Sequence, residues 1–270
     1  MIDAHFHVWQ LSRGDYGWLT PAAGAIYRDI TLDDWRRASA SCGVTGGVLV
    51  QAAPTEAETQ FLLQLAAAAP DVLGVVGWAD LLAPDAPARI AALAAHDKLK
   101  ALRPMLQDIA DPDWILQDAL QPAFAAMLAH GLAFDALIKP MHLPRILTLA
   151  RRYPELRIVV DHGAKPDIAH QQWQPWADGL ARLACAPEVT CKLSGLWTEA
   201  ATGTAATALA PTMRHAMDCF GASRVMWGSD WPVLERAAQY GDWHQAAISL
   251  VGPAHWSEVS DAVARKVYRL

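Results

Sequence analysis

A single (β/α)8 barrel of the TIM type, in the α/β class, is the architecture that this sequence of 270 residues predicts. Three observations carry the prediction. Eight short apolar runs are each followed by a stretch of helical period. The length suits one barrel, since such domains often span about 200–250 residues as one unit. No Pro/Gly/Ser-rich linker or shift of composition divides the chain, so positions 1–270 read as one domain. In order, Ile2–Trp9 precedes a loop at 10–31 and a helix at Leu32–Ser41, and Gly46–Ala52 precedes Glu56–Ala69. Leu73–Ala79 leads to Ala86–His96, Lys100–Leu106 to Asp113–His130, and Ala133–Ile138 to Leu143–Arg152. Arg157–Asp161 leads to Trp173–Cys185, Thr190–Ser194 to Ala205–Phe220, and Arg224–Gly228 to Ser257–Tyr268. The first member of each pair is short and β-rich, and the second is rich in Ala and Leu at helical spacing. Parallel strands need a crossover between them, which the helices supply. The rival, an open doubly wound sheet, lacks the G-x-G-x-x-G expected after an early strand. The 10–31 connection, with Gly14, Gly17, Pro21 and Gly24, is long for a plain loop and is a candidate active-site lid.

Composition excludes several partners. With 22 Lys+Arg against 28 Asp+Glu, the net charge of −6 gives no basic footprint for nucleic acid or an anionic membrane. Hydrophobic residues make up 53%, enough to bury a large core, yet no apolar run approaches a membrane span. Cys42, Cys185, Cys191 and Cys219 form no C-x-x-C pair, and the first residues lack a signal-peptide pattern. A cytoplasmic enzyme acting on a small molecule, open to homo-oligomerisation, is the expectation.

In a parallel barrel the strand C-termini and the loops after them form the site, which lets each polar residue be judged by position. His96, His130, His142, His170, His215, His244 and His255 fall on helices or outer loops and read as solvated. His5 and His7 form H-x-H on the first strand. The pleat puts both on one face, toward the barrel interior, with Asp3 one layer below. His162 follows the sixth strand, and Asp230 closes the eighth beside the first. Singly, each has a bland explanation: a hydrogen-bonded core histidine, or an N-cap before Pro232. Together at one rim they suit two chemistries. A divalent ion, zinc or manganese, held by His5, His7 and Asp230 would activate water and polarise a carbonyl. Alternatively, metal-independent catalysis would use Asp230 as general base with histidines stabilising the oxyanion. Asp230 and His162 are the catalytic candidates in both.

These residues resemble the amidohydrolase superfamily, in particular its amidohydrolase-related branch of small lactonases. H-x-H, the His after strand 6 and Gly228-Ser229-Asp230-Trp231-Pro232 carry the resemblance. So do Trp78 in its Val-Gly-Trp-Ala-Asp run, Leu102–Asp108, Asp161–Pro166 and Cys191–Leu196. The branch includes lactonases of L-fucose and L-rhamnose breakdown, aromatic-pathway dicarboxylate lactonases and decarboxylases, with and without a metal. Many superfamily members carry a His or a carboxylated Lys at the end of strand 5. Here Lys139 stands near that place, before Pro140, and reads equally as a solvated loop residue.

For the substrate, Arg103 is the one Arg expected at the rim, with Lys165 and Lys192 as further cations; each Lys reads equally as a surface or helix-end charge. So few cations favour a neutral or singly charged ligand. Gln51 and Gln107 offer partners for hydroxyl groups, and Trp9, Trp78, Trp197 and Trp231 fall where rings could wall a sugar. Hydrolysis of a sugar-derived aldonolactone, a carboxylic ester, is the expected reaction. The alternatives are a decarboxylase or a C–C or dicarboxylate-lactone hydrolase of aromatic catabolism, and a non-catalytic carbohydrate-binding barrel.

Overall fold

Eight parallel strands pair in sequential order in the computed structural model, which describes residues 1–270. They are β1 (Ile2–Phe6), β2 (Gly46–Val50), β3 (Val72–Gly77), β4 (Leu99–Leu102), β5 (Ala133–Ala136), β6 (Ile158–Val160), β7 (Val189–Leu193) and β8 (Val225–Trp227). The ring closes just beyond the strand ends. Asp230 N donates to the His5 carbonyl at 2.7 Å and His7 N to the Trp231 carbonyl at 2.8 Å. Gly228 permits this seam, since a Cβ there would lie 2.7 Å from the Cβ of His5. The strands are mostly apolar on both faces, as befits strands buried between a barrel interior and a helix layer. Ile2, Ala4, Val48, Val50, Val76, Ala101, Val159 and Met226 fill the interior, while Phe6 faces outward and stacks on Trp35 at 4.0 Å between centroids.

One expectation fails at β1. Asp3 does not lie a layer below the histidines inside the barrel. Its carboxylate accepts from Trp35 Nε1 (3.1 Å), Tyr240 OH (2.8 Å) and Ser229 OH (2.6 Å), so it faces the helix layer. The cause is a bulge: Asp3 pairs with Gly47 but Phe6 with Leu49, leaving one extra residue on β1. An extra residue reverses the alternation of faces, so Ala4 and His5 both turn inward.

The helices are α1 (Leu32–Ser39), α2 (Glu56–Ala68), α3 (Ala86–Ala94), α4 (Gln121–Ala129), α5 (Leu143–Arg152), α6 (Trp176–Leu183), α7 (Ala210–Phe220), α8 (Tyr240–Val251), α9 (Pro253–Ser257) and α10 (Val263–Tyr268). Thr31 and Asp34 begin α1 with a reciprocal capping box. Helix α4 starts later than expected because 106–120 winds in short 3-10 turns, and Pro122 then sits in its first turn. The helix expected after β8 also needs correcting. The eighth barrel helix is α8, whose Gly241 and β-branched Ile248 and Val251 dilute the helical pattern in the sequence. The Ser257–Tyr268 segment is an addition that plugs the N-terminal mouth. Val263, Ala264, Val267 and Tyr268 pack into the interior cluster, and Tyr268 OH donates to Asp135 Oδ2 at 2.7 Å. Tyr268→Ala removes a buried ring and that hydrogen bond, and should destabilise the protein by about 3–5 kcal/mol in urea denaturation.

Candidate active site

At the opposite mouth, the strand ends bring His5, His7, His162 and Asp230 together. His7 Nδ1 lies 2.7 Å from the Val50 carbonyl. A carbonyl only accepts, so Nδ1 carries the hydrogen and Nε2 presents its lone pair to the site. His5 Nε2 is 3.2 Å from His7 Nε2. Asp230 Oδ1 lies 3.4 Å from His7 Nε2, 3.6 Å from His5 Nε2 and 3.9 Å from His162 Nε2. His162 is steadied by Ser194 Oγ, 2.8 Å from its Nδ1. His162 and Asp230 both have left-handed backbones, φ 54° and 58°. For residues with a Cβ this stores strain of roughly 1–3 kcal/mol each, and such strain gathers at functional sites. Gly195, itself at φ 60°, makes the packing behind them possible, because a Cβ there would lie 2.5 Å from His162 Nδ1 and 2.9 Å from Asp230 Oδ2.

Electrostatics keep this centre in one charge state. Burial raises the Asp230 pKa, but His162, His7 and His5 outweigh it and hold the carboxyl below its usual range. Burial pushes His162 down to about 4 and His5 well below its ordinary value, despite nearby carboxylates. At neutral pH Asp230 is therefore a carboxylate beside the neutral rings of His162 and His5. Beneath it, fully inside the barrel, Lys192 Nζ lies 2.8 Å from Asp161 Oδ1 and 2.9 Å from Asp135 Oδ2, and Arg103 Nη1 lies 3.2 Å from Asp161 Oδ2. Two cations and two carboxylates thus balance. Burial alone would lower the Lys192 pKa, but the two aspartates raise it, so the ammonium stays charged.

The donor atoms of His5, His7 and Asp230 suit a divalent ion. Their separations of 3.2, 3.4 and 3.6 Å approach the roughly 3.4 Å edge of a tetrahedron with metal–ligand bonds of about 2.1 Å. His5, Asp161 and His162 form a second close group of ligand-type atoms.

The cavity above has a volume of about 270 Å³ and is lined by His7, His162, Asp230, Arg103, Gln107, Asp108, Lys165, Thr198, Glu199 and Arg236, with Trp18, Ala52, Met105, Leu137 and Val233 as its apolar wall. A separate hollow of about 380 Å³ between 166–173 and 201–212 is lined by none of the histidines. Arg103, Gln107 and Lys165 therefore stand where expected, although Lys165 is paired with Glu199 at 2.9 Å. His5 is fully buried and lies under the cavity wall, so it acts through its neighbours. Gln51 does not reach the cavity. Its amide donates to the Arg103 carbonyl at 2.8 Å, and Arg103 donates back to the Gln51 carbonyl, so it braces Arg103.

None of the four expected tryptophans lines the cavity. Trp9 Nε1 donates to the Arg28 carbonyl, Trp197 Nε1 to the Thr204 carbonyl and Trp231 Nε1 to Glu235, while Trp78 N donates to Thr59 Oγ1. Large rings gain most by packing against the apolar core, as Trp9, Trp197 and Trp231 do, while Trp78 is half-buried outside the cavity. Trp18, on the 10–31 loop, is the indole at the cavity wall, edge-on to Trp9 and donating to the Ala52 carbonyl at 2.7 Å. Arg236 adds a second arginine where only Arg103 was expected. Lys192 is neither a surface charge nor a substrate contact, and Lys139 is exposed and outside the cavity. His142 and His244 are buried rather than solvated, His244 against Trp227 and Trp256. Asp161 and Asp135 were overlooked as site residues. Their signal was a charge inside an apolar parallel strand or at its end, where only a buried partner makes it tolerable.

A barrel with histidines from β1 and β6 and an aspartate after β8 converging at its C-terminal mouth defines a carbonyl-activating enzyme class. A sequence profile described as amidohydrolase matches residues 2–270, and the chain belongs to that family. It is 47% identical to an L-fucono-1,5-lactonase of Burkholderia ambifaria, covering 100% of this chain and 95% of that protein. It is 35% identical to an L-fucono-1,5-lactonase of Burkholderia multivorans, over 89% of this chain and 85% of that one. A crystal structure of an amidohydrolase from Burkholderia multivorans with bound zinc superposes with a TM-score of 0.93 at 31% identity, covering 100% of this chain and 99% of that one. No helix is long and apolar enough to cross a membrane.

Gly195→Ala should cost activity without touching substrate. Displacing His162 and Asp230 by about 1 Å should lower kcat on the order of 100-fold while the far-ultraviolet circular dichroism spectrum stays unchanged.

Proposed function

We propose that the protein hydrolyses a sugar-derived aldonolactone, with Asp230 as general base. The carrying observation is a nearly buried carboxylate held within 3.9 Å of three histidines at the floor of a small mixed cavity. L-fucono-1,5-lactone, the compound in the names of both relatives, is the first substrate to test.

In this reading the lactone carbonyl rests against the floor. Asp230 takes a proton from the attacking water and returns it to the ring oxygen as the ester bond breaks. His162 stands at the same wall, and its contact with Ser194 fixes its ring. Arg103 sets a positive charge beside the developing oxyanion, tempered by its pairing with Asp161. Gln107 and Thr198 offer partners to ring hydroxyls, while Trp18, Met105, Leu137 and Val233 exclude water from the less polar side. His5, His7 and Asp230 would hold a divalent ion such as zinc. Bound there, it would polarise the carbonyl and sharpen the nucleophile.

The cavity's cations argue against a dicarboxylate or a decarboxylase substrate. Arg103 is committed to Asp161 and Lys165 to Glu199, leaving Arg236 to meet an anionic group. A purely carbohydrate-binding role gives no reason for a strained carboxylate under the ligand.

Acid release from a panel of aldonolactones, followed with a pH indicator, tests the reading; no turnover of any lactone in the panel would overturn it. Asp230→Asn should fold normally and lower kcat by about 10³-fold. Since His162 titrates at about 4 and Asp230 below its usual range, kcat/KM should stay level from neutrality to about pH 5 and fall as His162 takes up its proton. A pH profile of initial rates checks this, and an acid limb centred near pH 6.5 would refute it.

A further inference from the structure

The hydrogens available around His5 determine which of its ring nitrogens is protonated, an inference that rests on the proposed catalytic role of this cluster. Nδ1 of His5 faces two groups. Lys192 Nζ stands 3.3 Å away in hydrogen-bonding geometry, and Asp161 Oδ1 stands 3.5 Å away without a directed hydrogen bond. An ammonium only donates, so a hydrogen on Nδ1 would give up the closer contact with Lys192 and turn to Asp161 Oδ1. On the other side of the ring, Nε2 faces the Nε2 lone pair of His7 at 3.2 Å and Oδ1 of Asp230 at 3.6 Å. Both of those atoms are acceptors, because the His7 hydrogen is committed to the Val50 carbonyl. The shorter contact at each nitrogen gives one arrangement: Lys192 donates to His5, His5 to His7, and His7 to the backbone; the opposite one, with Nδ1 donating to Asp161 Oδ1 and Arg103 Nη1 donating to Nε2, runs through contacts of 3.5 Å at both nitrogens.

We propose that Lys192 is a positioning residue that donates to Nδ1 of His5, keeps the ring hydrogen on Nε2, and thereby weakens the hold of this site on a divalent ion. The hydrogen on Nε2 sits where a metal bond from His5 would lie. For His5 to bind an ion, that hydrogen must leave Nε2 and one must reside on Nδ1, accepted by Asp161 Oδ1 as the contact with Lys192 gives way. The Lys192–His5 hydrogen bond and an ion on His5 therefore exclude each other. Arg103 Nη1, 3.5 Å from His5 Nε2, adds a second positive charge against an ion. With the hydrogen retained, His5 stabilises the Asp230 carboxylate and orients His7 without any metal.

Long-range 1H–15N correlation spectra of metal-stripped protein labelled with 15N-histidine, at about pH 7.5, read the tautomer directly. His5 is identified by the peaks lost in His5→Gln. The expected pattern is a neutral ring with its hydrogen on Nε2; a hydrogen on Nδ1 overturns the proposal. In Lys192→Met/Asp135→Asn, which removes one charge of each sign, the hydrogen should move to Nδ1. Zinc affinity, measured by competition with a chelating indicator, should rise by about tenfold or more. The same tautomer as wild type, with zinc affinity within about twofold, overturns the role of Lys192. If that variant does not fold, the wild-type spectrum decides, since it needs no variant beyond the assignment, no substrate and no metal. Failure to hydrolyse lactones would count against the proposed reaction and leave the tautomer result standing.

Discussion

Four charges packed between the barrel interior and the cavity floor are the constraint on which the site depends. Lys192, Asp135, Asp161 and Arg103 sit among apolar strands where a lone charge would cost several kcal/mol of lost hydration. Each is tolerable only because the others are present, so each side chain is confined to one position. That confinement passes upward. Asp161 holds the guanidinium of Arg103 at the cavity floor, Gln51 braces Arg103 from the side, and Lys192 meets the ring of His5. A buried ionic set contributes little net stability over an apolar packing of the same volume. Its value here is geometric, because imidazole rings on a flexible floor would not keep their donor atoms within 3.2–3.6 Å of one another.

The seam between β1 and β8 serves the same end. The bulge in β1 turns His5 inward beside Ala4 and sends Asp3 outward, where it collects hydrogen bonds from Ser229, Trp35 and Tyr240. Ser229 is the neighbour of Asp230, so Asp3 secures the turn that presents the Asp230 carboxylate, working from behind the sheet. The left-handed backbone at Asp230 and His162 is held by such contacts, and Gly195 leaves the space that both side chains need.

The barrel was legible because strand and helix periods differ and alternate eight times, and the convergence of His5, His7, His162 and Asp230 followed once strands 1 and 8 were made neighbours. The facing of Asp3 was not legible, because a bulge is set by pairing with another strand and leaves no mark in the local alternation. The role of the tryptophans was misjudged for a related reason. A ring just after a strand can turn toward the mouth or toward the helices, and the choice belongs to loop conformation. Trp18 reaches the cavity from a long excursion whose path no periodicity describes. Lys192 and Asp135 stood in plain view inside apolar strands, but a charge in a strand names no partner, and theirs came from different strands.

The plug formed by α10 bears on how the chain reaches this state. Tyr268 bonds Asp135 across 133 positions, and Asp3 bonds Tyr240 across 237. Contacts this distant are made only after most of the chain-closing entropy has been lost, which slows folding. During synthesis the strands that carry the histidines emerge well before the residues that close the ring and seal its floor. Until α10 docks, Asp135 lacks the hydroxyl that Tyr268 donates, and the interior charges have no apolar cap at the N-terminal mouth.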